Sequence, residues 1–162
     1  MSTTTTAATP NTLTTRVLQE GYGSEAWHGP DLKAALAGVS PELASWRPAA
    51  GRHNIAEIAI HHAYYAHSVR GRLSETAPEP FVLDGEDWFN LSGKNAPSWQ
   101  DVLAVVDAQQ QHLATLVGDI EAGRLASKLP DAERFALVLG ITCHAVYHAG
   151  QVQLIKKLHA RE

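Results

Sequence analysis

The sequence predicts an all-α protein, a four-helix bundle with a long crossover between its second and third helices. Two capping signals, Asn54 with Glu57 and Ser98 with Asp101, each lead into apolar residues recurring at helical spacing. A third such run follows Pro130-Asp131 and meets no breaker until Gly140. Between the first two runs lies PEPFVLDGEDWFNLSGKNAP, too long for a tight hairpin.

Taken in order, residues 1–10 (MSTTTTAATP) read as a flexible leader, and residues 11–162 as a single domain. The first helical region covers roughly 12–38, with breaks around Gly21, Gly23 and Gly29-Pro30. Pro30 suits a first helical turn and Gly38 a stop. Ser40-Pro41-Glu42 can start one more short turn, before the punctuation of Pro48 to Gly51. The second helix is expected over 54–73, with Ile55, Ile58, Tyr65, Val69 and Leu73 on its stripe. The third carries Val102, Val106, Leu113, Leu116 and Ile120, with Gln109 included in the series. The fourth opens at Pro130-Asp131 and continues through Gly140 to about 158. The crossover is long enough to travel the second helix, about 30 Å at 1.5 Å per residue, so helices two and three can lie parallel.

Composition narrows the function classes. The chain has 162 residues, 44% hydrophobic and 19% charged, as expected of one globular domain. A formal net charge of -4 argues against general nucleic-acid binding, which needs a basic surface. The N-terminus shows neither the basic nor the apolar region of a signal peptide, and no window is expected to approach the roughly 18 apolar residues of a membrane span. The single Cys143 excludes an internal disulfide and a Cys-rich zinc site. A cytoplasmic protein is expected, with no nucleic-acid or membrane partner.

The chemistry concentrates on the fourth helix. On a helical wheel Leu137, Ile141, His144, His148, Gln151, Ile155 and Leu158 form one stripe, which puts two histidines and a glutamine among core positions. Buried polar groups need partners, at about 1–3 kcal/mol each. His144 and His148 are spaced i, i+4, which stacks their imidazoles on one face and lets both grip a cation. The intervening Ala145, Val146 and Tyr147 leave out the glutamate that zinc peptidases use as a base. Two core histidines with ordinary hydrogen bonds would give the same spacing. On the second helix His61 and His62 flank the stripe, and at least one must face inward; periodicity does not choose between them.

The segment Asn54-Ile-Ala-Glu-Ile-Ala-Ile-His61-His-Ala, followed by His144-Ala-Val-Tyr-His148-Ala-Gly-Gln151, resembles the DinB/YfiT-like family of metalloenzymes. The likeness covers nearly the whole chain after the leader, including Trp27-His-Gly-Pro and the long crossover. It implies a four-helix bundle, commonly dimeric, with one divalent metal ion held by His61, His144 and His148. Zinc is the first choice, with nickel, iron or manganese as alternatives. Three histidines leave a four-coordinate ion one open position, as in catalytic sites. The family implies a small-molecule substrate, with either water activated for hydrolysis or a low-molecular-weight thiol for S-transfer. A non-catalytic, metal-binding, dimeric stress-response protein is the alternative.

Other candidates rank lower. Gln151, Tyr65 and Tyr147 are candidate catalytic groups, Gln151 as an orienting partner and the tyrosines as donors to a bound anion. Asp84, Glu86 and Asp87 offer a general base or fourth ligand, or simply a solvated acidic loop. Trp88 and Phe89 either cover the metal mouth or dock the crossover. Cys143, about 100° from His144 on the wheel, is expected to pack against a neighbouring helix. His28, His53, His67, His112 and His159 read as surface groups.

Overall fold

The computed structural model describes residues 12–23 and 26–161, and the expected leader at 1–10 lies outside them. Among the described residues there are six helices and no strand: α1 (Leu13–Gly21), α2 (Leu32–Leu36), α3 (Pro41–Ser45), α4 (Ile55–Leu73), α5 (Trp99–Glu121) and α6 (Asp131–His159). The first helical region is split into α1 and α2, and Gly38 leaves α2 at φ 71°, a conformation that costs glycine little. Ser40 caps α3, whose first turn holds Pro41 and Glu42.

Both expected capping boxes form. The Asn54 side chain accepts from Glu57 N at 2.8 Å while Glu57 Oε2 accepts from Asn54 N at 3.3 Å. Ser98 and Asp101 repeat the exchange at the start of α5. Glu57 is buried and also bonded by Arg47 and His53. Burial alone would raise its pKa, but the Arg47, His53 and Asn54 contacts outweigh burial and hold it below the usual carboxylate range. Asn54→Ala removes the acceptor for Glu57 N and is expected to cost about 1 kcal/mol. Urea denaturation should show this as a lower midpoint at unchanged slope.

Two apolar clusters fill the interior. The first joins Ile55, Ile58 and Ala59 of α4 to Trp99, Val102 and Val106 of α5 and to Ala145, Val152 and Ile155 of α6. The second joins Val69 and Leu73 to Leu113, Leu116 and Ile120, and to Val138 and Ile141. So α4 and α5 pack start against start and end against end, and Ser127 Oγ, just beyond α5, donates to Leu73 O at 2.7 Å. At its outset α5 is anchored by Trp99 Nε1 donating to Val39 O at 2.8 Å.

The last helix departs from its expected register. Its buried residues include Val138, Ile141, Thr142, Ala145, His148, Ala149, Val152 and Ile155, whereas Leu158 is 39% exposed and Leu137 only half-buried. It meets α1 and α2 as well as α4, so its covered face is wider than one stripe and its centre is rotated toward Ala145 and Val152. Gly21 of α1 sits so close that a Cβ there would lie 3.2 Å from Ala145 Cβ. The absence of a membrane-length apolar window also needs correcting: α6 holds a window of mean hydropathy 1.3. Of that window, 39% is buried inside the protein, where α6 lies against α1, α2 and α4.

Candidate metal centre

Seven and eight residues after its Asn54 cap, α4 presents His61 and His62, both buried, toward α6. One turn apart on α6, His144 and His148 face them. The Nε2 of His144 lies 3.1 Å from Nε2 of His61 and 3.1 Å from Nε2 of His148. The three nitrogens all fall within 4.8 Å of one another, and no other such group of potential metal-ligating side chains occurs among the described residues.

What holds the outer nitrogens decides how the inner ones behave. His61 Nδ1 meets the Asp87 carbonyl oxygen at 2.9 Å. His148 Nδ1 meets Gln151 Oε1 at 2.6 Å. Both oxygens accept only, so each imidazole carries its proton on Nδ1 and turns a bare lone pair inward. Burial keeps all three rings neutral. It is the largest cause in each case, lowering His61 and bringing His144 and His148 down to about 4, with the neighbouring imidazoles adding to it.

Such convergence suits a cation. If His144 donates from Nε2 it satisfies one neighbour and leaves the other lone pair facing it. Ligand nitrogens at about 2.0–2.1 Å from a tetrahedral zinc are separated by about 3.3 Å, close to the spacing found here. Neutral imidazoles are the protonation state coordination requires. The donor set therefore fits a borderline-soft divalent ion, and its identity is not fixed by three nitrogens.

His62 lies behind this group. It is fully buried, stacks on His144 with ring centroids 5.6 Å apart, and points Nδ1 at His144 Nδ1 across 3.3 Å. Coordination through His144 Nε2 puts the proton on Nδ1, which makes His62 Nδ1 the acceptor. His62 then carries its own proton on Nε2, an atom buried with no hydrogen-bond partner, as is Gln110 Oε1. Burial foremost, then the His144 and His148 rings, lowers the His62 pKa to about 3.

The crossover closes the remaining side. Trp88 is sandwiched between His61 and His53, at centroid separations of 3.8 and 3.6 Å and interplanar angles of 8°. Phe89 is buried and edges onto Tyr64, so Trp88 covers the site while Phe89 docks the loop. Asp87 is held at φ 63°, a left-handed conformation that aspartate tolerates better than most residues, with its carbonyl on His61. Its carboxylate lies 3.2 Å from the same Nδ1 and accepts from Tyr65 Oη at 3.1 Å. Asp87 thus touches the outer nitrogen of His61 and orients that ring; Asp84 and Glu86 are exposed. Gln151 Nε2 donates to Tyr147 Oη at 3.1 Å, and Tyr147 is 65% exposed.

One placement differs from expectation. Cys143 is exposed and does not pack against a neighbouring helix, because the buried face of α6 is rotated away from it. His53 is exposed, as expected of a surface group, and it also stacks on Trp88 and bonds Glu57. His62 was visible only as a rival to His61; its spacing carries no sign that it backs a ligand.

The DinB superfamily profile matches residues 26–152, a span holding all three convergent histidines and the crossover. The chain belongs to the DinB superfamily. No curated protein and no solved structure shows significant similarity to it. Membership in the DinB superfamily agrees with the resemblance carried by Asn54 to His61 and by His144 to Gln151.

Proposed function

We propose that this chain is a divalent-metal-dependent enzyme acting on a small molecule, with the ion held by His61, His144 and His148. The observation that carries this reading is the meeting of three neutral imidazole Nε2 atoms whose outer nitrogens are tied to acceptors. An ion held there, zinc before nickel, iron or manganese, supplies Lewis acidity at a position three protein ligands leave open. Either water or a low-molecular-weight thiol would be the group activated, giving a hydrolase or an S-transferase. The chain's own residues do the positioning. Asp87 and Gln151 fix the His61 and His148 rings, and Trp88 shields one face from water. Tyr65 and Tyr147, hydrogen-bonded to those same orienting side chains, would be the candidate donors to a bound anion.

The architecture read with this function is a four-helix bundle of α1, α4, α5 and α6, with residues 74–98 as the crossover. A cytoplasmic homodimer belongs to the same reading, and exposed Leu139, Cys143 and Tyr147 on α6 support the pairing. The protein is to be screened, zinc-loaded and chelator-treated, against activated esters, amides and thiol-conjugate acceptors. Turnover that appears with metal and disappears with chelator is expected. Full metal occupancy with no turnover across the panel would leave the non-catalytic stress-response alternative standing.

A further inference from the structure

Beside the histidine cluster, one helical turn before His61 on α4 and beyond His148 on α6, lies an apolar groove of about 420 Å³. Ile58 and Ile155 form its floor, and Leu154, Leu158 and Trp88 its walls. Leu154 is 57% exposed, so the groove displays hydrocarbon that nothing in the fold covers. It is joined to the cluster through two residues. Gln151 lines it and accepts from His148 Nδ1, while Trp88 lines it and stacks on His61.

The groove also has one cation. Arg52 lines it and makes no ion pair among the described residues. The nearest acid in sequence, Glu57, is taken by Arg47, His53 and the Asn54 backbone. On a chain of net charge -4, an exposed arginine without an ion pair at the edge of an apolar groove favours an anion with hydrocarbon attached. Another cavity, of about 340 Å³, lacks this demand, since its Tyr22 and Lys33 both already bond Asp107.

We propose that this groove binds a small organic anion, its apolar body between Ile58, Leu154 and Leu158 and its carboxylate or phosphate on Arg52. This deepens the metal-enzyme reading by naming the class of substrate that would lie against Gln151 and the metal centre. Binding itself needs no metal, which keeps the two ideas separable.

Octanoate is the probe, titrated by calorimetry into zinc-loaded and chelator-treated protein, with octanol and octylamine alongside. One molecule of octanoate should bind per chain in both forms, and octylamine should not bind. Arg52→Gln should weaken octanoate about ten-fold, as expected for losing a charge-assisted hydrogen bond, and leave octanol unchanged. Leu154→Glu, a change at an exposed position, should abolish octanoate binding without moving the melting temperature. The Trp88 indole N–H resonance, identified by its absence in Trp88→Phe, should shift on titration. Binding seen only with zinc present would mean carboxylate coordination to the ion and would overturn the groove assignment. So would octanoate binding indifferent to Arg52→Gln, or light scattering in which Leu154→Glu turns a dimer into monomers, because a second copy would then own the groove. Loss of metal binding with octanoate binding intact would instead sink the metal centre and leave the groove.

Discussion

Zinc in hundred-fold excess over its dissociation constant will raise the melting temperature of the chelator-treated protein by about 5–10 °C. The figure follows from linkage: an ion that binds only the folded chain contributes about 2.7 kcal/mol at that excess. For a domain of this length, each kcal/mol is worth about 2–4 °C. The site exists only in the folded chain, because His61 and His144 are 83 residues apart and meet through the packing of α4 on α6. Without an ion, His144 Nε2 can satisfy only one of its two neighbours at 3.1 Å, so metal both adds bonds and satisfies the lone pair left over. His148→Ala leaves two nitrogens and should erase nearly all of the shift. His112→Ala, at an exposed position away from the cluster, should keep it in full. Scanning calorimetry with and without chelator decides the matter; a melting temperature indifferent to every divalent ion would show that the histidines form a polar core instead.

His62→Phe will lower zinc affinity by about 10–100-fold while the chain remains folded. The substitution keeps an aromatic ring of similar shape in a fully enclosed position, but removes the only nitrogen facing His144 Nδ1. Losing a partner that orients a ligand typically costs that range of affinity. His62→Gln restores an acceptor and should recover part of the loss, which a purely steric role would not do. Competition against a chromophoric chelator measures both variants. Equal affinity for wild type and His62→Phe would reduce His62 to filler.

The legible parts of this protein are those written in short stretches of sequence. The Asn54/Glu57 and Ser98/Asp101 caps span three residues each and form as expected, since their bonds are satisfied within the first turn. His144 and His148 meet because four residues in a helix bring side chains onto one face. The choice of His61 over His62 was not available from periodicity, since both are buried and both face α6. Only the loop tells them apart: the Asp87 carbonyl takes His61, while His62 points deeper. A crossover with no periodicity gives no warning that Trp88 will slide between His53 and His61. The rotation of α6 escaped for a related reason. A wheel assumes one partner surface, and this helix has three, so Cys143 emerged and Ala145 went under.

That crowding of partners around α6 bears on how the molecule assembles. Thr142 Oγ1 reaches back to Val17 O and Lys156 Nζ to Ala35 O, across 125 and 121 residues of chain. Closing loops of that size is paid in entropy before any contact rewards it, which slows the search. The pairing of α4 with α5 needs far shorter loops, so it is the natural nucleus, and α6 is the clasp that shuts over it. A chain caught before the clasp engages would expose the apolar faces of α1, α2 and α4 together, and that half-built state is where aggregation would begin.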